Sequence, residues 1–506
     1  MNSLGRQLLG LAVLIGATVA LAETSAGQPP SSTPDLARFF VGASADDAKA
    51  ADALEQIAAS WRNGYVPIFR DLMRLLTPPS DPPLHIAPFD PSRGQPVSGG
   101  NRGTIDASQH QGPEAPATRA WRRLSRFIAE QTGLRLSESG SDLSVIQEWM
   151  WAQPYDPHPD YTFFKGAWYG RIDPRFQKFF PPGASTAIRI DEVDWGGVLV
   201  NGIPPLVYPQ HVAASDDAAA YLDDDDIVFG FAIAEETRAF PKRILAWHEM
   251  ALDTLGGVEL TIVYCTLCGT VIPYESVVDG EHITFGTSGF LYRSNKLMFD
   301  HETNSLWNTF EGVPVVGSRV GSGARLTFRS VVTTTWDEWR RKHPETTVLS
   351  LATGVDRDYG EGVAYREYFA SDRLMFDVPV VDDRLNNKDE VLTLRISDAS
   401  GKHQPLAIAT DYLDKHRLHH LEHAGRQFLV VTSRRGANRV YDAGDVRFAR
   451  QVDEDRVVDE TGEVWRVEEA ALVSVSDSTR RRVRQAAHRA FWFGWYAQFP
   501  ETVLIR

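Results

Sequence analysis

Cysteine is almost absent, at two residues in 506. At most one disulfide can form, and a zinc site of four thiolates cannot be built within one chain. Basic charge is also scarce: 52 Lys and Arg face 67 Asp and Glu, for a formal net charge of −15. An acidic surface of that size repels phosphate backbones and argues against a nucleic-acid partner. Neither Gly-x-Gly-x-x-Gly nor Gly-x-x-x-x-Gly-Lys occurs, and Gly317 to Gly323 has the wrong spacing, so nucleotide chemistry has no motif to rest on. Beyond the first 22 residues no apolar run is long enough to cross a bilayer as a helix. What is present, 43% hydrophobic and 24% charged residues, is ordinary globular composition. At roughly 150 residues per domain the chain holds two to four of them.

Arg6 precedes the apolar run Leu8 to Leu21, which closes on Ala20-Leu21-Ala22, the small-x-small pattern ahead of a signal-peptidase cut. Residues 1–22 therefore read as a cleaved signal peptide. The mature protein is expected to begin at Glu23 in an oxidising compartment, periplasmic or secreted, with no membrane span after cleavage. Residues 23–45 read as a linker and 46–187 as a mainly helical region with a Pro- and Gly-rich loop at 77–117. Leu54, Ile57, Trp61, Tyr65, Ile68, Phe69, Leu72 and Leu75 recur at spacings of three and four, which predicts helix over Asp46 to Leu76 with a kink near Pro67. A second helix is expected over Thr118 to Gln131. The aromatic-rich stretch Trp149 to Phe180 reads as core in preference to a carbohydrate-stacking surface.

Past Ile188 the pattern changes to short runs rich in Val, Ile, Thr and aromatics, separated by Gly and Asp, which read as strands. This half repeats itself. Trp336-x-x-Trp339-x-x-x-x-Pro344-Glu345-Thr346 returns as Trp492-x-x-Trp495-x-x-x-x-Pro500-Glu501-Thr502, and Glu302-Thr303-x-x-x-Trp307 returns as Glu460-Thr461-x-x-x-Trp465. The offset falls from 168 (Gly257 to Gly425) through 158 (Glu302 to Glu460) to 156 (Trp336 to Trp492), as for one unit with shorter loops in its second copy. The expected fold class is α+β: a helical N-terminal region followed by a duplicated, β-rich two-copy domain, with copy 1 at 188–360 and copy 2 at 361–506. Such duplicates commonly pack about a pseudo-twofold axis.

Both cysteines lie in Tyr264-Cys265-Thr266-Leu267-Cys268-Gly269, behind an expected strand. Cys-x-x-Cys brings two sulfurs close enough to form a disulfide or to bind one metal. Thr270 to Tyr274, containing Pro273, reads as turn then strand, which disfavours the helix that a thioredoxin-like motif would open. His248, beside Glu249 on an expected helix just ahead of the cysteine strand, is the favoured auxiliary group. Copy 2 has Ser433 and Gly436 in place of Cys265 and Cys268, so any sulfur chemistry belongs to copy 1. His419-x-x-Glu422-His423 formally matches an inverted zinc-protease motif, a short pattern with frequent false positives that a solvated helix face with His416 and His420 would equally produce. The acidic run Asp223 to Asp226 has no calcium-loop spacing and reads as solvated loop.

Tyr264 to Gly269, Phe285-Gly-Thr-Ser-Gly-Phe-Leu-Tyr292, Asp300 to Trp307 and the Trp-x-x-Trp signature together resemble the domain of unknown function 3179 family of exported bacterial and archaeal proteins, over about Ile188 to Arg506. Members of that family with selenocysteine in the Cys-x-x-Cys motif imply redox-active positions at Cys265 and Cys268. Three readings follow. The leading one is thiol–disulfide redox chemistry at Cys265 and Cys268 with His248 assisting proton transfer, the partner being an unknown redox protein or a small molecule. The second is soft-metal binding, copper as Cu(I) or zinc, by Cys265, Cys268 and His248. The third is a non-catalytic scaffold with one structural disulfide.

Overall fold

The computed structural model describes residues 33–76, 89–90, 95–96 and 115–506, so the expected signal peptide and most of the loop 77–117 lie outside the described residues. Contacts divide the chain into two units, a helical one running to Val193 with Val316–Ser318, and a β-rich one holding nearly all the rest.

The helical unit contains α1 (Leu36–Gly42), α2 (Asp47–Ala58), α3 (Val66–Arg74), α4 (Pro116–Thr132), α5 (Asp142–Ala152), α6 (Tyr161–Tyr169) and α7 (Phe176–Phe179). Asp35 and Asp46 cap α1 and α2 by accepting from the third backbone N–H beyond them, at Arg38 and Lys49. The linker expected over 23–45 thus contains a helix. The single kinked helix expected over Asp46 to Leu76 is instead two helices, because Pro67 sits in the first turn of α3, where its missing N–H is no loss. The aromatics of 149–180 are core: Phe164, Trp168, Tyr169 and Phe176 are buried. Buried Asp71 is satisfied by Tyr161 Oη at 2.8 Å, Lys165 Nζ at 2.9 Å and Tyr169 Oη at 3.0 Å, so the charge taken out of water is paired.

The β-rich unit runs β1 (Ile227–Ile233), β2 (Glu236–Pro241), α8 (Lys242–His248), β3 (Met250–Leu255), β4 (Val258–Cys265), β5 (Thr270–Glu275), β6 (Phe285–Tyr292), β7 (Asn295–Asp300), β8 (Val332–Thr335), α9 (Trp336–Lys342) and β9 (Thr347–Leu349). After α10 (Arg366–Phe369) come β10 (Glu390–Ser397), β11 (His403–Ala409), α11 (Thr410–Lys415), β12 (Leu418–His423), β13 (Arg426–Thr432), β14 (Asn438–Asp442), β15 (His488–Phe491), α12 (Trp492–Gln498) and β16 (Val503–Ile505). One sheet has the order β8-β1-β2-β9, extended by a short edge strand, and another has the order β15-β10-β11-β16. In each the last pair named is parallel, β9 on β2 and β16 on β11, and the others are antiparallel.

Antiparallel β3-β4-β5 and β12-β13-β14 form two meanders, in register Met250 opposite Val263 and Leu418 opposite Val431. β4 is buried along its last six residues and reads as a largely apolar run, whereas β7 is buried throughout although Asn295, Lys296 and Asp300 are polar. Trp339 Nε1 donates to Thr346 Oγ1 at 2.9 Å, and Trp495 Nε1 donates to Thr502 Oγ1 at 2.9 Å. Trp307 and Trp465 donate likewise to Asp300 and Asp459, at 2.8 and 3.1 Å. The signature residues are therefore buried indoles that need an acceptor, placed at the spacing that supplies one.

His419, Glu422 and His423 lie on strand β12, not on a helix face. His423 Nε2 is bonded to the Gln404 carbonyl and His420 Nε2 to the Phe448 backbone, so the histidines do not converge on a metal. The acidic run is not simply solvated: Asp226 pairs with Arg243 at 2.5 Å, Asp225 with Arg435 at 3.0 Å, and Asp224 with Arg340.

Candidate thiol site

Cys265 ends β4 and faces Thr270, the first residue of β5, so Thr266 to Gly269 form the turn between two strands. Gly269 takes φ +59°, and a Cβ there would lie 2.8 Å from the Phe491 ring. The glycine after Cys-x-x-Cys is thus required by a left-handed turn and by close packing. The Cys268 carbonyl accepts from Phe491 N at 2.7 Å, tying the turn to the start of α12.

Both cysteines are free and almost fully buried, at 2% and 0% exposure. Burial pushes the Cys265 thiol up, but hydrogen bonds from the Cys268 thiol and from the backbone N–H groups of Lys296 and Cys268 outweigh it and hold Cys265 below the usual thiol range. Cys268 is driven well above that range by burial, by the bond it gives to Cys265 and by the charge there. Of the two, Cys265 is therefore the thiol that gives up its proton more readily. Cys268 Sγ also lies 3.5 Å from the Ser294 carbonyl oxygen and accepts from Asn295 Nδ2 at 3.5 Å. Asn295 is in turn oriented by Thr309 Oγ1.

Ser294, Asn295 and Lys296 arrive on the β6–β7 hairpin. Its two turn residues, Arg293 and Ser294, both have positive φ, 49° and 61°, where Asn-Gly is the usual choice. Gly-Thr-Ser-Gly in β6 marks a bulge: pairing shifts between Thr287 and Leu291, with Gly289 at φ +83°.

A buried ion pair adjoins the sulfurs. Glu249 follows α8 at φ +56°, a conformation more often given to glycine, and is 7% exposed. Its Oε1 accepts from Thr266 Oγ1 and Tyr365 Oη, each at 3.0 Å, and its Oε2 meets Lys296 Nζ at 2.7 Å. Lys296 Nζ also reaches the Glu249 carbonyl at 3.1 Å. His248 points elsewhere: Nδ1 lies 2.8 Å from the Pro204 carbonyl and Nε2 2.6 Å from Tyr359 Oη. Burial pushes its pKa down to about 4, so the ring is neutral near pH 7. Both ring nitrogens being engaged, His248 has none left for a metal held by Cys265 and Cys268. Among the described residues no group of three or more His, Cys, Asp or Glu is arranged to hold a metal ion.

The segment between β9 and β10 covers the motif with three tyrosines. Tyr359 bonds His248, Tyr365 bonds Glu249, and Tyr368 Oη donates to the Leu267 carbonyl at 2.8 Å. Lys388 Nζ sits 3.4 Å from the centroid of the Tyr368 ring.

α12 yields space to the sulfur. α9 starts on Thr335, whose Oγ1 caps the Glu338 N–H, and ends on Arg340, Arg341 and Lys342, in agreement with the helix dipole. In α12 the matching positions are Phe491, which caps nothing, and Gly494, where a Cβ would sit 2.9 Å from Cys268 Sγ. A mid-helix glycine costs roughly 1 kcal/mol relative to alanine. Glu338 itself accepts from Ser433 Oγ at 2.7 Å. The Ser433 turn thus meets an acid on α9, where the cysteine turn meets a glycine on α12.

Sequence reasoning named Cys265, Cys268 and His248 but missed Glu249, Lys296, the tyrosines and Gly494. The contrast between Trp336-Asp-Glu-Trp339 and Trp492-Phe-Gly-Trp495 was the available signal for the last. The family described as protein of unknown function (DUF3179) matches residues 200–502. No curated protein and no solved structure matches the chain.

Proposed function

The chain belongs to the DUF3179 family of proteins of unknown function, and we propose that it performs thiol–disulfide redox chemistry at Cys265 and Cys268 as an exported protein, periplasmic or secreted. The observation that carries this reading is the pair of free, buried cysteines at the two ends of one turn, of which Cys265 is held below the usual thiol range while Cys268 is driven above it. A purely structural cysteine pair needs no such division. In the proposed reaction the Cys265 thiolate attacks one sulfur of a partner disulfide, forming a mixed disulfide and expelling a partner thiolate. Cys268 then attacks Cys265 Sγ, closes the internal disulfide and expels the second partner thiolate, which takes up the Cys268 proton. Two electrons pass from the protein dithiol to the partner.

Because both sulfurs are sealed, the reactant is either a small molecule or a protein that reaches them after the Tyr359–Tyr368 segment is displaced. Export rests on Arg6, the apolar run and Ala20-Leu21-Ala22. The test is Cys268→Ser incubated with glutathione disulfide: Cys265 should retain one glutathionyl group that wild type releases. An unmodified Cys265 under conditions that modify the unfolded chain would overturn the reading.

We also infer that the β-rich part arose by duplication, as copies within 188–360 and 361–506. Matching strand orders, matching parallel pairs and the paired Trp–Thr and Trp–Asp bonds support it. So do the bonds Trp336 N to Asp226 O at 2.8 Å and Trp492 N to Asp389 O at 2.9 Å. Ser433 then occupies the Cys265 position as a structural remnant.

A further inference from the structure

We propose that the buried Glu249–Lys296 pair is the electrostatic control of the dithiol, acting as positioning residues that set which sulfur holds a proton and how readily the disulfide closes. The proposal rests on the redox reading above and specifies how that site is regulated.

Three observations carry it. Lys296 links both parts of the site: it follows Asn295, whose Nδ2 donates to Cys268 Sγ at 3.5 Å, and its own Nζ holds the Glu249 carboxylate at 2.7 Å. The carboxylate is also bound by Thr266, the residue after Cys265, so it is fixed to the turn that carries the sulfurs. Finally, the half without cysteines supplies an internal control. Tyr264 N donates to Glu249 O at 2.9 Å, and the matching bond in the second meander is Thr432 N to Arg417 O at 2.8 Å. There the residue is an exposed arginine without positive φ. The buried acid and its left-handed backbone occur only where the thiols are. Holding a non-glycine residue in that conformation strains the backbone, and such strain concentrates at functional sites.

The groups facing the pair are few. Cys265, Cys268 and Thr266 come from the turn, Tyr264 from the end of β4, Asn295 from the β6–β7 hairpin, and Tyr365 and Tyr368 from the covering segment. The Glu249 charge raises the proton affinity of both sulfurs, so it opposes the backbone N–H groups that favour the Cys265 thiolate. The two influences on Cys265 thus oppose one another, and the ion pair sets their balance.

The test is the pH titration of thiolate ultraviolet absorbance on the reduced full chain, with circular dichroism to confirm folding. Glu249→Gln should lower the pH midpoint, giving on the order of tenfold more thiolate at a pH below it. Glu249→Asp should restore the wild-type profile. Lys296→Met, which keeps the backbone N–H but removes the cation, should raise the midpoint and keeps the test available if the glutamine variant does not fold. An unchanged midpoint in a folded Glu249→Gln or Lys296→Met overturns the proposal. Failure of the wild-type pair to form and reopen a disulfide in glutathione buffer would defeat the redox reading instead, and would leave these titration shifts intact.

Discussion

Gly494→Ala tests whether α12 is shaped around the sulfur. The added Cβ would lie 2.9 Å from both Cβ and Sγ of Cys268. Unstrained contacts need about 3.5–4.0 Å, so the turn or the helix must move by roughly 0.6–1 Å. Overpacking of this kind costs about 1–3 kcal/mol, against a helix-propensity gain of about 1 kcal/mol for replacing glycine by alanine. The expected outcome is a net loss of about 1 kcal/mol, read as a lower urea midpoint at unchanged slope. Thiolate titration should shift as well, because displacing Cys268 Sγ weakens its bond to Cys265. In a double-mutant cycle with Cys268→Gly, which removes both clashing atoms, the penalty should vanish or turn into a gain. A stabilised Gly494→Ala with unchanged thiol titration would refute the reasoning.

Other expectations follow from the same contacts. His248 is neutral when folded and its pKa is pushed down to about 4 by burial, whereas the unfolded chain takes up a proton near pH 6.5. Its contribution is therefore fully present above about pH 6.5 and is lost as pH falls toward 4, by roughly 3 kcal/mol at most; His248→Asn should flatten that limb of the urea-stability profile. For Cys265, lowered when folded, stability rises as pH climbs from its folded value toward about 9. Cys268, raised, removes stability above about 9; because each thiol shifts the other, Cys265→Ser should abolish the rising limb and weaken the falling one in a pH series of urea melts. Thr346→Val and Thr502→Val each leave a buried indole N–H unpaired and should cost similar amounts, about 1–3 kcal/mol by denaturant melts. Tyr368→Phe removes the bond to the Leu267 carbonyl and should speed alkylation of the cysteines severalfold with little loss of stability.

Much of the β-rich unit was legible because its signature residues have one structural job. A buried tryptophan needs an acceptor, and Thr346 and Thr502 stand seven residues past Trp339 and Trp495. Pro273 correctly pointed to a strand after the cysteine turn. The histidine cluster misled because residues four apart share one side of a strand as they do of a helix. For the same reason of local ambiguity, adjacency of His248 and Glu249 could not say which faces the sulfurs. The left-handed backbone at Glu249 decides it, and backbone handedness at a non-glycine residue leaves no pattern in sequence. Lys296 and Tyr365 reach the site from 28 or more positions beyond Cys268, through a bulged hairpin and an aperiodic segment. Periodicity carries no information about such approaches. In the helical unit Pro67 marked the start of a helix, not a kink, a distinction that depends on where the preceding turn ends.

The most direct test of the central claim is the state of Cys265 and Cys268 in protein equilibrated across a series of reduced to oxidised glutathione ratios, quenched in acid and read by mass. The account predicts that both thiols are lost together and recovered together as one internal disulfide, with a midpoint above about −300 mV, the region of reducible bridges. Thiols that stay free at every ratio, or a bridge that withstands excess reductant, would contradict it.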